Sequence, residues 1–166
     1  QDDLALQLAQ LETLVLQERE EAAVALMEAL CSVPFREPRY WGFLGDLYLD
    51  LEHYEQTIYC YKEAIQHASQ DADLAYRLAR LILDRGEVFD GAQHLEKAAR
   101  LASVEPRLWE MAADTWLGIG EVERAAQAYS RALKLDDGTP EVWFRRGISL
   151  SVNEQKQESI RAFEKA

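Results

Sequence analysis

The stretch RYWGFLGDLYLDLEHYEQTIYCYKEAI, residues Arg39 to Ile65, carries seven aromatic side chains: Tyr40, Trp41, Phe43, Tyr48, Tyr54, Tyr59 and Tyr61. Rings at this density either stack a ligand or hold a fold together, and spacing separates the two readings. Trp41, Leu44, Gly45 and Tyr48 follow one another at three- and four-residue steps, the period of one face of an amphipathic helix.

The same stretch recurs further along the chain. Trp41, Trp109 and Trp143 lie 68 and 34 residues apart, and Pro38, Pro106 and Pro140 repeat the same two intervals. Ala64, Ala98, Ala132 and Ala166 fall at 34-residue steps, as do Gly86 and Gly120. Independent residue types sharing one interval define an internal repeat. The period sets up columns: small residues at Gly45, Ala79, Ala113 and Gly147, and again at Thr57, Gly91, Ala125 and Ser159. Bulky residues occupy Tyr48, Ile82, Trp116 and Leu150, and Tyr61, Leu95, Tyr129 and Phe163. Gly86 and Gly120 interrupt the helical pattern where a residue able to take positive φ ends a helix. A second helical run follows, such as Val122 to Leu135, so each unit is predicted to be two antiparallel helices joined by a short turn. Such a pair cannot bury both faces alone, and stacking against its neighbours supplies the core. The prolines open first helices, where the missing N–H costs nothing.

The unit resembles the tetratricopeptide repeat (TPR), a 34-residue helix–turn–helix. The residues that carry the resemblance are Trp41, Leu44, Gly45, Tyr48, Tyr61 and Ala64, then Trp109, Ala125, Tyr129 and Ala132, then Trp143, Gly147, Phe163 and Ala166. The implied fold is all-α, a right-handed superhelical solenoid of antiparallel helix pairs. One array over 1–166 is expected, with repeats at about 4–37 (degenerate), 38–71, 72–105, 106–139 and 140–166 (truncated). The degenerate unit, opening at Leu4, puts Leu11, Leu14, Ala23, Met27 and Leu30 in key columns without the aromatic signature. The last unit stops before its second helix would finish, which implies a longer array. In this frame Trp41, Tyr48, Tyr54 and Tyr61 are packing residues, whereas Phe43 falls outside the packing columns. Glu52 and Glu154 stand where Gly86 and Gly120 end first helices, so those turns are expected to be strained or differently capped. Arg146 stands in the column of Leu44, Leu78 and Ala112, and Lys156 in that of Tyr54, Val88 and Val122, which marks the last unit as the loosest.

Composition narrows the function classes. Across 166 residues, 30 Asp and Glu against 18 Lys and Arg give a net charge of −12. Such a surface repels phosphate backbones and anionic head groups, which disfavours nucleic acid and membrane surfaces as partners. No apolar run approaches the roughly 20 residues of a membrane span. Cys31 and Cys60 lie in apolar helical stretches without CxxC spacing and read as buried packing thiols. Their use favours a cytoplasmic compartment, with the periplasm as the alternative. His53, His67 and His94 form no HExxH, no cysteine partners a histidine at ligand spacing, and no Gly-rich phosphate loop or nucleophile elbow is present. No catalysis, cofactor or metal is expected.

What the resemblance does imply is a concave face, lined by first helices, that takes a peptide. Projecting the repeat phase gives Arg39, Phe43, Asp46, Leu49, Tyr76, Arg77, Arg80, Leu83, Arg107, Met111, Asp114, Leu117, Phe144 and Arg145 as its lining. Arg77, Arg80 and Arg107 cluster there despite the acidic total. One reading has them hold a carboxylate or acidic side chain of a partner, flanked by apolar contacts from Phe43, Leu49, Leu83 and Met111. The other has them pair with Asp46, Asp73, Asp84 and Asp114 in a solvated salt-bridge lattice. The Lys/Asn/Asn/Lys/Arg clamp by which one TPR subclass holds acidic chaperone tails corresponds here to Gly42, Asp46, Arg77, Arg107 and Met111, and only Arg107 suits it. The expected function is therefore a scaffold or adaptor for a protein or peptide partner with acidic and apolar residues. The alternatives are a dedicated chaperone of the type III secretion class, to which Tyr40–Leu101 is loosely similar, and self-association into a homo-oligomer through the apolar N-terminal helix or the last unit.

Overall fold

The computed structural model describes residues 2–32, 38–67, 71–102 and 104–166. Those residues are all-α: α1 (Asp2–Leu16), α2 (Glu20–Cys31), α3 (Pro38–Asp50), α4 (Tyr54–His67), α5 (Ala72–Asp84), α6 (Val88–Leu101), α7 (Pro106–Gly118), α8 (Val122–Leu135), α9 (Pro140–Val152) and α10 (Lys156–Phe163). The chain divides into two compact units, Gln1–His67 and Ala68–Ala166. The side chains of Leu4 and Pro38, and the sequence-expected join at residue 37, lie outside the described residues.

In the first unit α1 packs on α2 and α3 on α4. Leu11, Leu14, Ala23, Met27 and Leu30 are buried, together with Trp41, Leu44, Tyr48, Tyr61 and Ala64. In the second unit α5 packs on α6, α7 on α8 and α9 on α10, and the hairpins stack through α6 on α7 and α8 on α9. Ile82, Trp116 and Leu150 fill the bulky column, while Ala79 and Ala113 leave room for the paired helix. Each fully buried large side chain contributes about 1.5–3 kcal/mol. Helices approach rings closely at Gly45, where a Cβ would fall 2.5 Å from the Tyr61 ring, and at Gly147, where it would fall 2.6 Å from the Phe163 ring.

The hairpins turn alike, and the turn explains the helix ends. Glu18, Glu52, Gly86, Gly120 and Glu154 stand at 34-residue steps with φ of 55°, 60°, 81°, 83° and 59°. The residue after each donates its backbone N–H back to the first helix: Arg19 to Leu14 at 3.0 Å, His53 to Tyr48 at 2.8 Å, Glu87 to Ile82 at 3.2 Å, Glu121 to Trp116 at 2.9 Å and Gln155 to Leu150 at 2.9 Å. The positive-φ residue closes the inner bond, as in Glu52 N–H to Leu49 at 3.0 Å and Gly120 N–H to Leu117 at 3.1 Å. This is the Schellman arrangement, which satisfies two orphan carbonyls. The glutamate turns are thus capped like the glycine turns and carry the strain of a side chain in left-handed backbone.

Side chains also differ from the sequence reading. Phe163, placed in the bulky column of Tyr61, Leu95 and Tyr129, is 41% exposed on α10, the last helix among the described residues. Tyr54 is 37% exposed rather than packed, because its column is a rim: Val88 and Val122 are only half-buried and Lys156 is exposed. Cys31 is half-buried at the last position of α2, while Cys60 is buried as expected. Arg146 occupies a column of buried apolar residues because its Nε donates to Ser130 Oγ at 3.0 Å, its guanidinium approaches Glu158 at 3.7 Å, and it stacks over Trp143.

Candidate functional site: the α5–α7 face

On α5, helical spacing places Tyr76, Arg80 and Leu83 on one side, and on α7 it places Arg107, Met111, Asp114 and Leu117 on one side. None of the sequence-expected lining residues is buried, in contrast to Leu44, Leu78, Trp109 and Ala112 one or two positions away. Tyr76, Leu83 and Met111 are half-buried and pack against a core of Ala79, Leu95 and Ala112. Leu83 also covers the space where Gly91 lacks a Cβ, so α6 holds it in place. Between α5 and α7 opens a cleft of about 340 Å³ lined by Asp73, Tyr76, Glu105, Arg107, Leu108 and Met111. The structure therefore brings Tyr76, Arg107 and Met111 together. Arg77 is half-buried on the same helix, with interactions of its own. Arg39, Phe43, Asp46 and Leu49 lie on α3 of the first unit, where Arg39 donates to the Tyr40 hydroxyl at 2.9 Å.

The acidic residues have specific occupations. Tyr61 O–H donates to Asp46 Oδ1 at 2.6 Å, and Tyr129 O–H donates to Asp114 Oδ1. Arg145 bridges Glu141 and Asp114, both at 2.8 Å, and the bond to Glu141, then that to Asp114, push its guanidinium pKa further up. Burial first, and then the bond to Asp114, push the Tyr129 phenol above its ordinary value. A salt-bridge lattice thus exists around Arg145. Among the described residues, however, neither Arg80 nor Arg107 forms an ion pair, and both are exposed. Phe144 stacks near Phe163, their centroids 5.7 Å apart.

Column-by-column reading missed the Asp–Tyr pairs, although they leave a joint signal. Where the first-helix column holds Asp46 or Asp114, the second-helix column holds Tyr61 or Tyr129; where it holds Arg80 or Ile148, the partner is Leu95 or Phe163. The tryptophan column behaves similarly. Arg131 stacks over Trp109 at 4.6 Å and Lys165 over Trp143 at 4.4 Å, each cation 22 residues after its ring. At Trp41 that position is Glu63, and Tyr59 meets the ring edge-on at 5.7 Å instead.

The other chemistry-bearing residues are dispersed. His53 lies 3.7 Å from Glu20, and His67 lies 3.8 Å from Glu63. Among the described residues no three His, Cys, Asp or Glu side chains converge as metal ligands, and no helix is long and apolar enough to cross a membrane.

Known proteins resemble this chain. Tetratricopeptide repeat protein 33 of Mus musculus is 25% identical over 109 residues, 66% of this chain and 41% of that protein, so the chain spans about two fifths of that relative's length. Among solved structures, MamA from Desulfovibrio magneticus RS-1 aligns over 99% of this chain and 93% of its own with a TM-score of 0.57 at 14% identity. YrrB, described as a TPR protein with an unusual peptide-binding site, aligns over 93% of this chain and 80% of its own with a TM-score of 0.57 at 15% identity. These two likenesses establish the fold alone. The family model for the tetratricopeptide repeat matches residues 2–166. With its helix pairs, its repeated Schellman turns and that match, the chain belongs to the tetratricopeptide repeat family, as an all-α TPR solenoid.

Proposed function

We propose that this chain is a non-catalytic protein–protein interaction scaffold, and that the α5–α7 face of its second unit binds a peptide segment of a partner. One observation carries the reading: Arg107 borders a cleft with half-buried Tyr76 and Met111, and its guanidinium has no ion-pair partner among the described residues. Arg80, also exposed and outside any such pair, lies on the same face of α5. A guanidinium in this position makes charge-assisted, often bidentate bonds to a carboxylate, and adjacent half-buried rings and thioethers supply the apolar contact that affinity needs. Asp73 and Glu105 at the cleft set the register by repelling acidic residues placed beside the captured one. The peptide binding for which YrrB is described supports the same reading.

The test selects peptides from a random library with the intact chain and measures their affinity for Arg80→Glu/Arg107→Glu. Charge-assisted hydrogen bonds are worth about 1.5–3 kcal/mol, so the reversed pair is expected to lose at least about tenfold in affinity at unchanged helicity. Unchanged affinity, or selection of no peptide at all, would overturn the proposal. Sedimentation at two concentrations separates it from self-association.

A further inference from the structure

Two thiols far apart in sequence meet inside the first unit. Cys31 ends α2 and Cys60 lies within α4, and their sulfurs are 3.9 Å apart. Both are free. Cys60 is buried and Cys31 is half-buried, so a small reagent reaches one sulfur before the other. The surroundings are unequal as well. The hydrogen bond with Cys60, assisted by one with Tyr48, lowers the Cys31 pKa against the opposing effects of burial and Glu28. The same thiol–thiol bond, then burial, raise that of Cys60. This is the asymmetry of an attacking thiolate beside a resolving thiol.

We propose that Cys31 and Cys60 form a reversible dithiol–disulfide pair that ties α2 to α4 when the chain meets a low-molecular-weight disulfide such as oxidised glutathione. The Cys31 thiolate attacks one sulfur of the small disulfide, forming a mixed disulfide and releasing one small thiolate. Cys60 then gives up its proton to solvent, and its sulfur attacks Cys31 Sγ and expels the second small thiolate. The protein loses two hydrogens, and one small disulfide becomes two small thiols. The remaining approach, from 3.9 Å to about 2.05 Å, falls to Cys31, whose position at the end of α2 leaves its side chain the freer of the two. A Cβ at Gly45 would lie 3.4 Å from Cys60 Cβ, so its absence lets α4 lie close against α3 beside the buried thiol.

The test exposes the whole folded chain to mixtures of oxidised and reduced glutathione and reads intact mass and a non-reducing peptide map. The wild type is expected to lose the mass of two hydrogens, with the Cys31 peptide joined to the Cys60 peptide, and to recover both thiols on reduction. Cys60→Ser is expected to keep one glutathione on Cys31, and Cys31→Ser to stay unmodified while folded. A wild type that keeps both thiols, that holds glutathione without internal linkage, or that links only between chains would overturn the proposal. Should a variant fail to fold, the wild-type map alone decides.

Discussion

Replacing the glutamates at the hairpin turns by glycine should stabilise the protein. Glu52 and Glu154 hold φ of 60° and 59°, the conformation in which Gly86 and Gly120 serve the corresponding turns. Left-handed backbone costs a residue with a Cβ about 1–2 kcal/mol, and glycine returns part of that through its larger unfolded-state entropy, about 0.5–1 kcal/mol. The difference favours glycine by roughly 0.5–1 kcal/mol per site. The backbone bonds that define the turn, His53 N–H to Tyr48 and Gln155 N–H to Leu150, do not involve the glutamate side chains. Glu52→Gly reports on the first unit and Glu154→Gly on the second. Urea unfolding should show midpoints raised by about 0.2–0.5 M per substitution at unchanged slope. The reverse substitutions, Gly86→Ala and Gly120→Ala, should each cost about 1 kcal/mol. If both glutamate replacements instead lower the midpoint, these turns are not strained and the shared-cap argument fails.

Three further outcomes follow from the packing. Tyr129→Phe should cost about 1–1.5 kcal/mol, the low end for a bond to a charged acceptor because Asp114 is partly exposed, and a double-mutant cycle with Asp114→Ala should give a coupling of about 1 kcal/mol; zero coupling would make the contact incidental. Tyr48 and Tyr129 have phenol pKa values raised chiefly by burial, above the ordinary value near 10. Their contribution to stability is therefore complete below about pH 10 and is lost as pH rises through the raised folded-state values, so near-ultraviolet tyrosinate absorbance should show them ionising last, together with unfolding. Gly45→Val should cost at least about 1–3 kcal/mol in denaturant unfolding, because its Cβ meets the Tyr61 ring at 2.5 Å and Asp46 holds that ring by its hydroxyl.

Most of the fold was legible because packing columns recur. Trp41, Tyr48, Ile82, Trp116 and Leu150 are buried where the 34-residue period puts bulky residues. What escaped was what a single column does not encode. Tyr54 shares its column with valines, which predicts packing, yet that column lies at the rim, and burial depth is set by the opposing helix rather than by residue type. One sequence reading pairs Arg77, Arg80 and Arg107 with Asp46, Asp73, Asp84 and Asp114. In the structure Asp46 and Asp114 are taken by tyrosines of the paired helix, and Arg145 rather than Arg107 reaches Asp114. Which carboxylate an arginine meets depends on distances of a few ångströms between neighbouring helices, and the period does not resolve those. First- and second-helix columns encode the Asp–Tyr pairs jointly, whereas the thiol contact between Cys31 and Cys60 has no repeat counterpart in the sequence.

The most direct test of the central claim is amide chemical-shift mapping on the intact chain as a selected peptide is titrated in. The account predicts that the largest changes fall on α5 and α7, around Tyr76, Arg80, Arg107 and Met111, with the second helices α6 and α8 little affected. Changes concentrated on α6, α8 and α10, with the α5–α7 face silent, would contradict it.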